Sequence, residues 1–462
     1  MRFSIANHRA TRRAFLAEPC GWLEARIGLS LDEIASVSPG RLFSLSFDLP
    51  LPLFDVAADA RGDRSWLAPD DGAYFFGGGS VSGFDALDAD QWQAGCRRWV
   101  RLGEAKASPI GFLTAPPAPE GGRTKICLPE ILLRRSANRQ SVSLIGFRDS
   151  TPVAAIARGW MKQFRAMVAP EDGAAAGGVE QRSCRPDLPE WRNRVRAATA
   201  AIAAGRFAKV VLARKLAVTM RKPIDADFLA REMAQASPDC RIIKLPDETG
   251  CVIAASPELL AVKRGAKIVS HALAGTSARF HSPEENARAS ASLLASPKER
   301  LEHALVVDSI AGDLREICDE VHHAPAPKLM RLRGLQHLWT PVAGTLRPGF
   351  GLLDAIDRLH PTPAVLGFPK IAARDWLKGI EERRDGLYTG LAGWIDLDGD
   401  GEAAVVLRAA HVEGREAHLW AGAGIMAASD PDAEWAETEL KMSALLDLLE
   451  GSGEGSGEGI GS

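Results

Sequence analysis

Charge of one sign is what this sequence lacks most plainly. Its 462 residues carry 59 Asp and Glu against 56 Lys and Arg, a formal net charge of −3. A chain that grips nucleic acid through its phosphates needs a marked basic excess, and an acidic disordered chain needs the reverse, so both readings fail for the whole molecule. Long apolar runs are missing too. No stretch approaches the roughly 18 to 20 uninterrupted apolar residues of a membrane-spanning helix, so no membrane partner is expected. The cysteines Cys20, Cys96, Cys127, Cys184, Cys240, Cys251 and Cys318 are odd in number, scattered and never spaced C-x-x-C. They suit buried thiols in a reducing cytoplasm. There is no internal repeat, no G-x-G-x-x-G fingerprint, no zinc-ligand spacing and no nucleophilic serine elbow, so nothing supports a nucleotide, zinc or hydrolase reading.

What is there is an ordinary globular composition, with 46% hydrophobic and 25% charged residues, long enough for one large core or a few smaller ones. Thr11-Arg12-Arg13-Ala14-Phe15-Leu16 imitates a twin-arginine export signature. Glu18, Pro19, Glu24 and Arg26 follow where an apolar segment should, so export is not expected. Up to about Arg165, short apolar runs such as Leu42 to Phe47 alternate with turn clusters such as Gly77-Gly78-Gly79-Ser80, a pattern of strands and hairpins with few helices.

Residues 166–187, with a Gly/Ala-rich stretch from Pro170 to Gly178, read as a flexible loop or linker. Beyond it Trp191, Val195, Ala198 and Ile202 recur at helical spacing, Gly205 offers a C-cap, and Lys209 to Ala213 read as a strand. Ser296-Pro297-Lys298-Glu299 opens another helix with an N-cap serine, a proline at the first position and a capping-box glutamate. Asp430-Pro431 opens the last one, which runs to about Gly451. The Gly, Ser and Glu tail 451–462 is expected to be disordered.

Glu299 and Glu302 stand three apart on one predicted helix, and Glu434 and Glu437 on the other, so each pair shares a face. Such oxygen donors suit Mg2+, yet the same spacing also decorates solvated helices, and Glu437 with Lys441 makes an ordinary i,i+4 pair. Period-two alternation over Ala403 to Ala410 places Arg408 among small neighbours, either as a clamp on a ligand carboxylate or as an outward-facing strand arginine. Lys209 alone reads as a strand-edge lysine. Gly422-Ala423-Gly424 would let backbone amides approach an anion. Asp396 to Gly401 reads as a hairpin turn, because the twelfth position of a calcium loop would be Leu407. His360 sits in a rigid His-Pro-Thr-Pro loop and could be catalytic or structural.

Taken together, several motifs in order resemble the chorismate-utilising enzymes, and among them the isochorismate synthases. They are Lys209-Val210-Val211-Leu212-Ala213-Arg214, Ala255-Ser256-Pro257-Glu258, Leu273-Ala274-Gly275-Thr276, Glu299 to His303, Leu359 to Val365, and Glu434 to Thr438 with Lys441. The match covers roughly Leu188 to Leu449. Before it, only Phe75 to Gly79 and Leu128-Pro129-Glu130 are similar. The resemblance implies an α+β fold of large antiparallel sheets packed together with helices outside. Residues 1–165 would form a divergent N-terminal part and 188–450 the chorismate-binding catalytic region.

The implied reaction adds water at one ring carbon of chorismate while the hydroxyl leaves another. By resemblance, Lys209 is the general base, which requires a neutral amine, and Glu258 the general acid, which requires a raised carboxyl pKa. Mg2+ would meet one substrate carboxylate, with Glu302 and Glu437 as ligands and Glu299 and Glu434 as direct or water-mediated supports. Arg408, Lys441 and the backbone at Gly422 and Gly424 would hold the other carboxylate. Gly275 and Thr276 would contact the reacting face, with His337 at its border.

Lys209 stands where anthranilate synthases tend to carry glutamine, so water rather than ammonia is the expected nucleophile, with no glutaminase subunit. Ala274 cannot supply the nucleophilic lysine of aminodeoxychorismate synthases. Salicylate synthases share Lys209 and Glu258 and are the alternative; a non-catalytic chorismate-binding relative is a distant one. The expected protein is a cytoplasmic monomer.

Overall fold

The computed structural model describes residues 18–50, 55–105, 108–117, 122–136, 139–169, 176–280, 282–380, 384 and 386–451. The twin-arginine imitation, most of the Gly/Ala-rich stretch and the tail after Gly451 lie outside them. The described residues divide into two compact units, one drawn from 1–113, 125–173 and 394–398, the other from 114–124, 174–393 and 399–462.

In the first unit, strands pair in the order Arg64–Ala68, Ala73–Gly78, Ile131–Ser136, Arg139–Phe147, Leu42–Asp48 and Val100–Gly103, antiparallel except for the last pair. Gly77 and Gly78, read above as a turn, continue a strand, and the turn begins at Gly79 with φ +67°. Close packing explains the glycines. A Cβ at Gly77 would lie 2.7 Å from the Phe112 ring, and one at Gly78 would lie 2.5 Å from the Met167 sulfur. The unit also holds a 15-residue helix, Val153–Met167, whose Trp160, Phe164 and Met167 are buried at helical spacing.

The second unit carries β1 (Val179–Arg185), α1 (Leu188–Ala203), β2 (Lys209–Met220), β3 (Arg241–Pro246), β4 (Cys251–Ser256), β5 (Leu259–Arg264) and β6 (Lys267–Ala278). There follow α2 (Pro297–Arg315), β7 (Leu335–Leu346), β8 (Gly367–Phe368), β9 (Gly401–Val405), β10 (Ala409–Glu413), β11 (Glu416–Ile425) and α3 (Pro431–Glu450). One antiparallel sheet runs β8-β2-β11-β10-β4-β3, and β1, inside the segment read above as a linker, also pairs with β2. A second runs β7-β6-β5-β9. The fold is α+β, with helices on the outside of antiparallel sheets.

Strand alternation decides what each face of the first sheet does. Val210 and Leu212 of β2, with Ala423 and Ile425 of β11, turn to a core shared with Trp191, Val195 and Ala198 of α1. Their neighbours Lys209, Val211, Gly422 and Gly424 face the other way, into a pocket.

The two sheets share one ribbon. β4 pairs with β10 in the first sheet and β5 with β9 in the second, so both chains cross between sheets together, at residues 257–258 and 406–408. The ladder carries through the crossing: the Ala255 amide donates to the Arg408 carbonyl and the Val405 amide to the Glu258 carbonyl. This corrects the single strand expected over Ala403 to Ala410. Arg408 sits in the crossing with φ +49°, a left-handed conformation no continuous strand contains.

Candidate active site

Of the thirteen residues singled out from the sequence, all but Glu299 and Glu434 line one pocket of about 730 Å³ between the two sheets of the second unit. Lys209 opens β2 and is 1% exposed, so an edge lysine it is not. Its Nζ lies 2.7 Å from Glu302 Oε1 of α2. Gly424 of β11 makes room for that pair, since a Cβ there would clash with Glu302 Oε1 and lie 2.8 Å from Lys209 Cε. Burial pushes the Glu302 carboxyl up, but the ammonium of Lys209, helped by Lys441 and Lys298, outweighs it and holds the group below its ordinary value.

Glu258 enters from the ribbon crossing, 2% exposed. The Ser256 hydroxyl accepts from its amide at 3.2 Å and donates to the Val405 carbonyl at 2.6 Å, fixing the corner. The Thr362 hydroxyl donates to Glu258 Oε1 at 3.2 Å. Burial raises the carboxyl to about 7, against the opposing pull of Thr362, Lys209 and Lys441. A carboxylic acid that still holds its proton near neutrality can act as a general acid.

Gly275 sits at a bulge in the β6–β7 ladder with φ +78°, and a Cβ there would lie 3.1 Å from Glu299 Oε2. Only glycine meets both demands without strain. Beyond the bulge the Thr276 hydroxyl is 3.1 Å from His337 Nδ1, while His337 Nε2 is 2.9 Å from Arg408 Nη2. A guanidinium can only donate, so Nε2 accepts and Nδ1 carries the proton of a neutral ring, pointing to Thr276 and the Gly275 carbonyl. Burial, then the charges of Arg408 and Lys441, keep His337 well below the usual histidine range. Lys441 of α3 donates to Glu437 Oε1 at 2.5 Å and to the Gly422 carbonyl at 2.9 Å. The Gly422 carbonyl thus also anchors the lysine.

Glu299 and Glu434 lie behind the pocket. The Ser296 cap holds, accepting from the Glu299 amide at 3.4 Å. The Glu299 side chain does not complete the capping box; it accepts from the Thr276 amide at 3.3 Å. Glu434, 2% exposed, is held at 2.8 Å by Lys298, a residue the sequence had marked only as part of a helix start. Burial, together with the neighbouring Glu302 for Glu299 and Glu437 for Glu434, raises both carboxyls while Lys298 opposes.

Among the described residues no three His, Cys, Asp or Glu side chains converge as a preformed metal centre. The donor chemistry still fits a hard dication. Glu302 and Glu437 open on the pocket, and behind them burial first, then the neighbouring carboxylates, raises Glu299 and Glu434. Mg2+ needs only one or two protein carboxylates plus waters and substrate oxygens.

His360 is not part of the pocket. Its Nε2 lies 3.1 Å from the Pro116 carbonyl, the structural alternative of the two readings. The pocket wall contains residues that sequence motifs did not single out for chemistry: Val365, Thr389, and Tyr388 stacked on Trp420 with ring centroids 5.6 Å apart.

A two-sheet α+β unit with an acid, a lysine and further cationic side chains around one pocket has the makings of a small-molecule enzyme, and comparison with known proteins says of which family. A family model described as "Chorismate binding enzyme" matches residues 117–450, and the chain belongs to that family. The isochorismate synthase DhbC of Bacillus subtilis is 38% identical over 272 residues, 57% of this chain and 68% of that protein. The isochorismate synthase MenF of the same organism is 34% identical over 281 residues, covering 61% of this chain and 59% of that protein. The structure of MenF, the menaquinone-specific isochorismate synthase from Escherichia coli, superposes with a TM-score of 0.77 at 26% identity, over 92% of this chain and 100% of that one.

Proposed function

We propose that this protein is an isochorismate synthase, an isomerase that adds water to chorismate at one ring carbon while the hydroxyl leaves from another. The observation that carries the reading is the opposition, in one pocket, of Lys209 and a buried Glu258 whose carboxyl is raised to about 7. Glu258 holds the proton that the leaving hydroxyl must acquire, and its water-poor corner keeps that proton from solvent. As the base that receives a proton from the attacking water, Lys209 must act as a neutral amine and so must first give up the ion pair it makes with Glu302. Arg408, oriented by His337, and Lys441 supply positive charge for a substrate carboxylate, a clamp suited to a guanidinium. Gly275 and Thr276 form the wall against the reacting face.

Glu302 and Glu437 would hold Mg2+, with Glu299 and Glu434 supporting it directly or through water. Held there, Mg2+ would supply positive charge to the other substrate carboxylate. No ammonia-supplying subunit is required, because water is the nucleophile. None of the seven cysteines is in a disulfide, in keeping with a cytoplasmic enzyme. We take the enzyme to act as a monomer, in siderophore, salicylate or menaquinone biosynthesis.

Incubation with chorismate and Mg2+, followed by chromatographic separation of the products, tests the reading. Isochorismate is the expected product. Fluorescent salicylate formed without a separate lyase would point instead to a salicylate synthase. Chorismate that binds in calorimetry without being consumed would leave a non-catalytic relative.

A further inference from the structure

We propose that Arg384 is a positioning residue that fixes the acid and the base of this site relative to each other, an inference that rests on the isochorismate synthase reading. Arg384 is 4% exposed. Its Nη2 donates to the Val211 carbonyl at 2.7 Å, and its Nη1 donates to the Val365 carbonyl at 2.6 Å and to Thr389 Oγ1 at 3.2 Å.

Each acceptor leads to one part of the chemistry. Val211 stands two residues beyond Lys209 on β2 and lines the same pocket. Val365 closes the turn whose Thr362 carbonyl accepts from the amides of Val365 and Leu366, both at 3.1 Å. Thr362 is also the donor to Glu258. The Val211 amide donates back to the Leu366 carbonyl at 3.0 Å, so base strand and acid turn are stitched twice. Thr389 holds a strained φ of +63° and donates through its amide to the Val406 carbonyl at 2.8 Å, in the ribbon crossing just before Arg408. One planar guanidinium therefore ties the base strand, the acid turn and the crossing that carries the substrate clamp. A lysine ammonium, a compact head on a flexible stem, lacks the fixed fork that spans three such acceptors.

The test compares Arg384→Lys, Arg384→Gln, Thr362→Val and the double variant Arg384→Lys/Thr362→Val with the wild type. Misplacing catalytic groups by about 1 Å costs about 10²-fold, so Arg384→Lys should lower kcat by about that factor while KM for chorismate moves by less than about 3-fold. Glu258 faces Lys209 and Lys441 across the pocket and Thr362 from the turn. Loosening the turn weakens a hydrogen bond to the carboxylate, so the high-pH limb of kcat should move to higher pH in Arg384→Lys and Thr362→Val alike. The double variant should be no slower than the slower single one, because both changes break the same linkage.

Unchanged kcat in the Arg384 variants, or a fall in kcat with an unmoved limb and multiplying effects, would overturn the proposal. Failure of both Arg384 variants to fold would overturn it too, since the guanidinium would then hold the fold and not the site. Wild-type turnover in the same assay judges the functional reading separately: an active wild type with normal Arg384 variants sinks this proposal alone.

Discussion

Lys209 and Glu302 form a buried ion pair, Nζ to Oε1 2.7 Å, beneath a strand glycine, Gly424, that leaves no room for any side chain. The pair joins β2 to α2, the helix that carries Glu299 and Glu302. Buried pairs of this kind are costly to break from one side, by about 3–5 kcal/mol, because the remaining charge has no solvent.

Gly424→Ala should therefore disable the site. The added methyl must push Lys209 and Glu302 apart, so kcat is expected to fall by at least about 10²-fold, with a stability loss of about 1–3 kcal/mol. Steady-state rates and urea denaturation measured on the same preparation check both parts. A variant with wild-type kcat would show that the approach of these side chains to the glycine is not required.

Lys209→Gln and Glu258→Gln should each reduce kcat by about 10²–10⁴-fold, the usual share of a general acid or base, while chorismate binding measured by calorimetry persists. Near-normal turnover in either variant would refute the assignment of that residue.

Glu258 also makes a signed prediction about pH. Its carboxyl is raised from 4.5 to about 7 in the folded protein, and the acid role requires the protonated form, so kcat should fall as pH rises through about 7. Stability follows the same group. The folded state binds this proton more tightly than the unfolded state, so its contribution is fully present below the unfolded value and is lost as pH rises to about 7, on the order of 3 kcal/mol in all. Glu258→Gln, permanently neutral, should be more stable than the wild type at pH 8 and lose that advantage by pH 5. Thermal denaturation at both pH values decides it; an equal difference at each would show that Glu258 does not carry the shift.

Chelation of divalent metal should abolish turnover, and Mg2+ should restore it. Glu302→Gln and Glu437→Gln are expected to weaken Mg2+ binding by about 10-fold or more in calorimetry, in line with the loss of a charged ligand. Affinity unchanged in both would remove these residues from the metal site.

Much of this site is legible in the sequence. The starts of α2 and α3 follow from Ser296-Pro297 and Asp430-Pro431, because capping is satisfied within a few residues. The long helix Val153–Met167 was readable in principle from the spacing of Trp160, Phe164 and Met167, but the surrounding short strands obscured it. Arg408 reaches the pocket from a local structure that the alternation misread. Alternation suggested a continuous strand, whereas its place depends on a ribbon that leaves one sheet for another, a property of the pairing between residues about 150 positions apart. Thr362, Arg384 and Lys298 gave no separate signal, since serving Glu258, three backbone segments and Glu434 respectively is visible only once those groups are adjacent.

The sequence by itself determined the chemical inventory: a lysine and a glutamate at strand ends, four carboxylates on two helices, an arginine and a lysine for anions, and glycines where backbone must come close. It also determined the local elements, because caps, periodicity and turn residues act over a few positions. The tertiary structure decided which charges meet. Lys209 is bound to Glu302, Lys441 to Glu437 and Lys298 to Glu434, while burial raises the Glu258 carboxyl further than Thr362, Lys209 and Lys441 lower it. A near-neutral composition is compatible with countless pairings. Burial and distance select among them, since the strength of each interaction depends on how much water the fold removes from around it.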